Sequence, residues 1–314
     1  MRQIARILPA LSGLLLTLAC LASSPAESAT QPDPNNTLAA ACEGHDGWAD
    51  PAPATRIFAN TWYVGTCGIT ALLVTGEDGH VLIDSGVEEA APLVLANIRA
   101  LGFNPTDVHW ILSSHEHNDH IGAHAALQQA TGAKVAALAA AVEVMESGKA
   151  SPDDPQAGTL DDFPAVHVDR VLADGDVVSL GTLAFTVHAT PAHTAGSASW
   201  TWQSCDENLR GIFDWCFTMA YADSATAISA RNYRFSDHPD RIAAVRQGLS
   251  KMAALPCDIL ITPHPGASDP FDRLSDQGAA LIDSTACTRY AQAALGRFEK
   301  RLAQENAPAP KEAH

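Results

Sequence analysis

The run His115-Glu116-His117-Asn118-Asp119-His120 places three imidazoles and an aspartate within six positions. Alternate residues of an extended turn can aim at one point, so His115 and His117 can share a metal ion. Asp119 and His120 follow where the chain turns into a helix and can face a second ion. Imidazole nitrogen and carboxylate oxygen both suit zinc. Two further histidines sit in turn-rich segments directly after predicted strands: His193 in Thr190-Pro191-Ala192-His193-Thr194-Ala195-Gly196-Ser197, and His264 in Thr262-Pro263-His264-Pro265-Gly266. Loops at strand ends are where sites are usually built. The chemistry implied is metal-assisted hydrolysis. Six ligands over two metals leave coordination positions open, which favours catalysis over a closed storage or scavenging site. Neither Ser-x-x-Lys nor Gly-x-Ser-x-Gly occurs, so nothing points to a serine acyl-enzyme. His45, His80, His109, His124, His167, His188, His238 and His314 read as surface or core residues.

These side chains need a scaffold of strands. Residues 69–75 and 80–84 read as a hairpin around Gly76-Glu77-Asp78-Gly79. Residues 88–100 have helical periodicity, and 108–112 form a short apolar strand running straight into the histidine run. A helix over 123–130 and a strand over 134–138 follow. The second half repeats this logic, with strands over 183–188, 199–203, 216–221 and 258–262, and helices over 241–255 and 275–302. Hairpins followed by alternating strands and helices, twice over, predict two β-sheets packed together with helices outside.

The chain has 314 residues, 46% of them hydrophobic and 18% charged. That length and composition can bury a full core. No linker is rich enough to split it. With 36 acidic against 19 basic residues the net charge is -17. Such a surface repels phosphate backbones and anionic lipid, which argues against nucleic acid as a partner. Residues 1–22 read as a signal peptide: a positive start with Arg2 and Arg6, an apolar stretch too short to span a bilayer, then small residues, with cleavage between 19 and 29. Residues 23–314 then form a single domain, with an extended arm over 29–50 and a disordered tail from 307. No later segment approaches the ~20 apolar residues of a membrane span. Export to the periplasm fits the cysteines. Setting aside Cys20, six remain, an even number suited to an oxidising compartment. Pairing sequence neighbours gives Cys42 with Cys67, Cys205 with Cys216, and Cys257 with Cys287, one of 15 possible arrangements. Cys20 admits a second reading as a lipid anchor. Nothing signals assembly, so a monomer is the default.

The His-x-His-x-Asp-His run, His193 in a His-Thr-x-Gly turn and His264 after a strand resemble the metallo-β-lactamase superfamily. That resemblance implies an α/β fold, an αβ/βα four-layer sandwich of two mixed sheets with helices on the outer faces and a dinuclear site at one edge. Asp84-Ser85-Gly86 is similar to the superfamily's aspartate turn, in which Asp84 would orient a metal-bound histidine from behind. Within the superfamily the chain resembles the third subclass of class B β-lactamases. The match implies one zinc on His115, His117 and His193 and a second on Asp119, His120 and His264, two per chain. The other subclasses carry a cysteine ligand where this chain has Ser224. Ile111-Leu112-Ser113-Ser114-His115, Gly196-Ser197-Ala198-Ser199-Trp200 and the Cys257–Cys287 pairing also suit the subclass, over roughly residues 40–300; Ala195 departs from it where proline is common.

The activity implied is hydrolysis of the β-lactam amide of penicillins, cephalosporins and carbapenems by a hydroxide held between two zinc ions, conferring antibiotic resistance. Asp119 would help orient that hydroxide, Tyr233 would assist the oxyanion, and Ser224, Thr226 and Gln156 would contact the small-molecule substrate. The rival within the superfamily is a glyoxalase-II-like thioesterase or a lactonase. Those relatives use a bridging aspartate, and Asp223 sits one place from its expected position.

Overall fold

Apolar alternation becomes two sheets in a computed structural model, which describes residues 34–206, 215–275 and 281–307. In the first sheet β3 (Leu72–Gly76) and β4 (Gly79–Ile83) form the predicted hairpin. Gly79 closes it at φ +122, with His109 so near that an added Cβ would lie 2.1 Å from that ring. β1 (Thr55–Phe58) and β2 (Thr61–Tyr63) extend the antiparallel side, while β5 (Val108–Leu112), β6 (Lys134–Leu138) and β7 (Arg170–Leu172) add in parallel after β4. The second sheet is built from β8 (Val177–Leu180), β9 (Leu183–Ala189), β10 (Ala198–Cys205), β11 (Cys216–Tyr221) and β12 (Ile259–Ile261), in the spatial order β12-β11-β10-β9-β8. Only its β11–β12 pair is parallel.

Between the sheets, Leu72, Val74, Val81 and Ile83 meet Phe185, Val187, Trp200 and Tyr221. Leu73, Leu82 and Ile111 point the other way, against Val94 and Ile98 of α2 (Ala91–Ala100) and Leu127 of α4 (His124–Thr131). Ala220 and Leu260 pack under Leu249 and Met252 of α6 (Pro239–Ala253) and Phe298 of α8 (Ala286–Glu305). The layers are therefore helix, sheet, sheet, helix, as the pattern predicted. β4 is buried at all five positions. Both of its faces are covered, which explains its continuous apolar run.

Two regions and four short strands differ from the sequence reading. The arm over 29–50 contains α1 (Pro34–Cys42), whose Leu38 and Cys42, one turn apart, are both buried. The helix expected over 275–302 is shorter among the described residues: 281–285 are turn or irregular and α8 starts only at Ala286, with α7 (Pro270–Ser275) before it. Asp283 makes the restart, its carboxylate accepting from Thr285 N at 2.9 Å and from Thr285 Oγ1 at 2.7 Å. Such local bonds compete with helix continuation. β1, β2, β7 and β8 are strands that the sequence reading did not mark. The sulfurs of Cys42 and Cys67, Cys205 and Cys216, and Cys257 and Cys287 lie at disulfide distance, in the pairing expected. Among the described residues no helix is long and apolar enough to cross a membrane. The expected signal peptide, Cys20 and the tail from 308 lie outside the described residues.

Candidate metal centre

The site forms where strands of both sheets end. β5 stops at Leu112, and Ser113 and Ser114 lead into the histidine run. His117 keeps extended backbone (φ -88°, ψ 153°) before the single turn of α3 (Asn118–Ile121). This break in conformation directs His115 and His117 one way and Asp119 and His120 another. The turn after β9 brings in His193, and the loop after β12 brings in His264. His115, His117 and His193 present ligand atoms all within 4.8 Å of one another, as do His115, Asp119 and His120. His264 Nε2 lies 3.3 Å from His120 Nε2 and 3.4 Å from Asp119 Oδ2. The six residues expected as ligands thus converge, with His115 shared between the two groups.

What each imidazole does with its other nitrogen tests whether this is a metal site. His115 Nδ1 is 2.8 Å from Asp223 Oδ1, and its Nε2 is buried without a partner. His117 Nε2 is 3.0 Å from Asp154 Oδ2, which leaves Nδ1 for the cluster. His193 Nδ1 donates to Thr226 O at 2.8 Å, and His120 Nδ1 is 3.2 Å from Asp84 Oδ2. One nitrogen held by a carboxylate or carbonyl and the other turned into the cluster is the arrangement of metal-bound histidine. The electrostatics agree. Burial, followed by repulsion from His120 and His193, pushes His115 well below its ordinary pKa, and burial pushes His193 down to about 3 and His264 down to about 4. Burial opposes the charge on His120 as well, but Asp119 and Asp84 push it up to about 10. Asp119, despite burial, is held below the usual carboxylate range by His120. Neutral His115, His193 and His264 beside an ionised Asp119 are the protonation states a divalent cation needs, while His120, held protonated by its two carboxylates, must release a proton to bind one.

Support extends behind the ligands. Asp84 has φ +59°. That conformation is uncommon for a residue with a side chain. Its carboxylate accepts from Ser114 N at 2.6 Å, Ser114 Oγ at 2.7 Å and Tyr221 Oη at 2.8 Å, as well as meeting His120. These partners over-determine the strained backbone. Glu116 turns away from the cluster and accepts from Thr194 Oγ1 at 2.7 Å and Gly196 N at 3.0 Å, fastening the histidine run to the His193 turn. From α6, Arg241 donates to the carbonyls of Pro191, Ala192 and His193 at 2.7, 3.0 and 2.8 Å.

The residues expected at the substrate have varied surroundings. Ser224 is buried beside Asp223. Thr226 meets His193 Nδ1 with both its carbonyl and its hydroxyl, the latter at 3.1 Å, so it also orients a ligand. Tyr233 lies flat against His238, ring centres 4.4 Å apart, and feels the charges of Arg241 and Asp154. Gln156 lies on the irregular segment that carries Asp154, its amide N donating to Asp154 Oδ1 at 2.7 Å. Asp154 and Arg241 went unmarked in the sequence; the one hint was their position in a turn-rich segment next to Gln156 and at a helix start. Asp223, weighed as a metal bridge, has Oδ1 engaged by His115 Nδ1 and Oδ2 buried without a partner, and burial raises it well above the usual carboxylate range.

Comparison with known proteins agrees with this geometry. The family model described as "Metallo-beta-lactamase superfamily" matches residues 64–206. The fold superposes on the crystal structure of the metallo-β-lactamase MIM-1 from Novosphingobium pentaromativorans with a TM-score of 0.84 and 63% identity, covering 88% of this chain and 100% of that one. MEM-A1, a subclass B3 metallo-β-lactamase from a soil metagenome library, gives a TM-score of 0.78 and 41% identity over 82% of this chain and 98% of that one. A hydroxyacylglutathione hydrolase of Anaeromyxobacter dehalogenans is 34% identical over 246 residues, 78% of this chain and 77% of that protein.

Proposed function

The chain belongs to the metallo-β-lactamase superfamily, and from that premise we propose that it hydrolyses the amide bond of β-lactam antibiotics with two zinc ions per chain. The observation that carries the substrate class is the 63% identity to MIM-1 along the whole of that β-lactamase. We assign one zinc to His115, His117 and His193 and the other to Asp119, His120 and His264. Zinc there would supply Lewis acidity for the amide carbonyl and make water a nucleophile near neutral pH. The chain's own contribution is positioning. Asp84, Asp223 and Thr226 hold the outward nitrogens of His120, His115 and His193. That turns the inward nitrogens to one centre before substrate arrives. Asp119, held ionised, can accept a hydrogen bond from the attacking water. Ser224 and Thr226 would meet the substrate carboxylate, Gln156 the groove above it, and Tyr233 the developing oxyanion. The export reading of residues 1–22 and the three cysteine pairs support a periplasmic location, where such substrates arrive.

The hydroxyacylglutathione hydrolase relatives supply a second reading, thioester hydrolysis. Against it stands the engagement of Asp223 Oδ1 by His115 Nδ1, which sets that carboxylate behind a proposed ligand ring, with its Oδ2 buried and unpartnered. One assay separates the two. Zinc-loaded protein is expected to open a cephalosporin or carbapenem ring, followed by loss of its ultraviolet absorbance, and a chelator to abolish this. His264→Ala is expected to lower the bound zinc from about two toward one. Folded, zinc-loaded protein that cleaves a glutathione thioester and no β-lactam would refute the proposal.

A further inference from the structure

Between α5 (Val142–Ser147) and β7 the backbone has no helix or strand, and residues 151–163 of this stretch are held by turns. Asp154 N donates to Ser151 O at 3.1 Å, Ala157 N to Asp154 O at 2.9 Å, and Thr159 N to Gln156 O at 3.0 Å. Outside the segment, Ala230 N donates to Pro155 O at 2.8 Å and Phe163 N to Gly148 O at 3.0 Å. A further anchor is a charged side chain. Asp154 Oδ2 lies 3.0 Å from His117 Nε2, and the two side chains are only 7% and 5% exposed. A carboxylate on an irregular loop has easy access to water, so its burial must be offset by a strong partner, and a charge-assisted bond from imidazole N–H is such a partner. The same bond places the His117 proton on Nε2 and leaves the Nδ1 lone pair facing His115 and His193.

We infer that Asp154 is a positioning residue that couples the order of the 151–163 loop to metal binding at His117. The inference rests on the metal reading of the histidine cluster. A cation on Nδ1 withdraws electron density from the ring and strengthens the Nε2–H donor, which tightens the hold on Asp154 and on the loop. By linkage, whatever favours the ordered loop must favour metal binding to the same extent. The loop that also carries Gln156 is therefore ordered by the metal centre rather than merely lying above it.

The test is amide hydrogen exchange over 151–163 in the full chain, with zinc and after chelation, alongside zinc titration against a chromophoric competitor. In the wild type, chelation is expected to speed exchange across 151–163 more than across β5. In Asp154→Asn the loop should exchange at the same rate with and without zinc, and zinc should bind about 10–100-fold more weakly at one site. Asp154→Glu, which retains a carboxylate, should recover part of that loss. Thr159→Ala removes a bond within the loop, from its hydroxyl to Gln156 O at 2.7 Å, so by the same linkage it should weaken zinc, but by less than Asp154→Asn does. Wild-type exchange insensitive to zinc, or wild-type affinity in a folded Asp154→Asn, would overturn the inference while leaving the metal centre standing. A wild type that binds no zinc at all would remove the metal reading itself.

Discussion

Every histidine at the centre has two nitrogens, and the fold decides how each is used. A lone imidazole on a surface loop would rotate between rotamers. Here His115, His117, His120 and His193 are each fixed by an acceptor on the far side of the ring. His124 is a buried histidine outside the cluster. Its Nδ1 meets Ser85 Oγ at 2.7 Å, but its Nε2 is buried with no partner among the described residues. Burial pushes its pKa from 6.5 down to about 4. The unfolded chain therefore takes up a proton below pH ~6.5 that the folded chain refuses until pH ~4. Stability from this group is intact above that window and is lost as pH falls through it, by about 2 kcal/mol at pH 5. Urea unfolding at pH 7 and pH 5 should show that extra loss in the wild type and not in His124→Gln. Equal pH sensitivity of the two proteins would show that His124 does not carry it.

At the scale of elements, the His193 turn is clamped from two directions. Glu116 reaches it from the histidine run, and α6 reaches it through Arg241 and through Gly248. A Cβ on Gly248 would lie 2.7 Å from Ala192 N and 2.9 Å from both Pro191 N and Thr190 C, all of them backbone atoms. On an open helix face, Gly→Ala would stabilise by about 1 kcal/mol. Here the close approach reverses the sign, because helix and turn must separate. Gly248→Ala is expected to cost about 1–3 kcal/mol in denaturant unfolding and to weaken zinc at the site that includes His193. A gain in stability would mean that the turn can give way and that α6 does not set its position.

Over the whole molecule, the three cysteine pairs close loops of different kinds. Cys205 and Cys216 face each other across the β10–β11 ladder, where strand pairing already holds the ends, and are separated by 11 positions. Cys257 and Cys287 are separated by 30 positions and tie the approach to β12 to the start of α8, so the loop between them carries His264. Chain entropy alone makes the longer closure worth about 1 kcal/mol more, within a usual range of about 2–4 kcal/mol. Replacing Cys257 and Cys287 by serine should therefore lower the melting temperature further than replacing Cys205 and Cys216. The reverse order would place the main constraint at the hairpin.

The amino-acid sequence was sufficient for whatever is local. Strand periodicity over Val108–Leu112 and Lys134–Leu138, the turn at Gly76–Gly79, the six side chains that converge and the cysteines found at disulfide distance could all be read before any fold was known, because each depends on residue type and near neighbours. Short or edge strands such as β1, β2, β7 and β8 could not. A run of three or four residues carries too little periodicity to separate strand from loop. The supporting residues were hidden for a different reason. Asp154 meets His117 across 37 positions, Arg241 meets Pro191 across 50, and Asp223 meets His115 across 108. No spacing rule spans such separations. A carboxylate's role depends on which ring nitrogen it faces, and only the packing of the two sheets brings those atoms within hydrogen-bond reach.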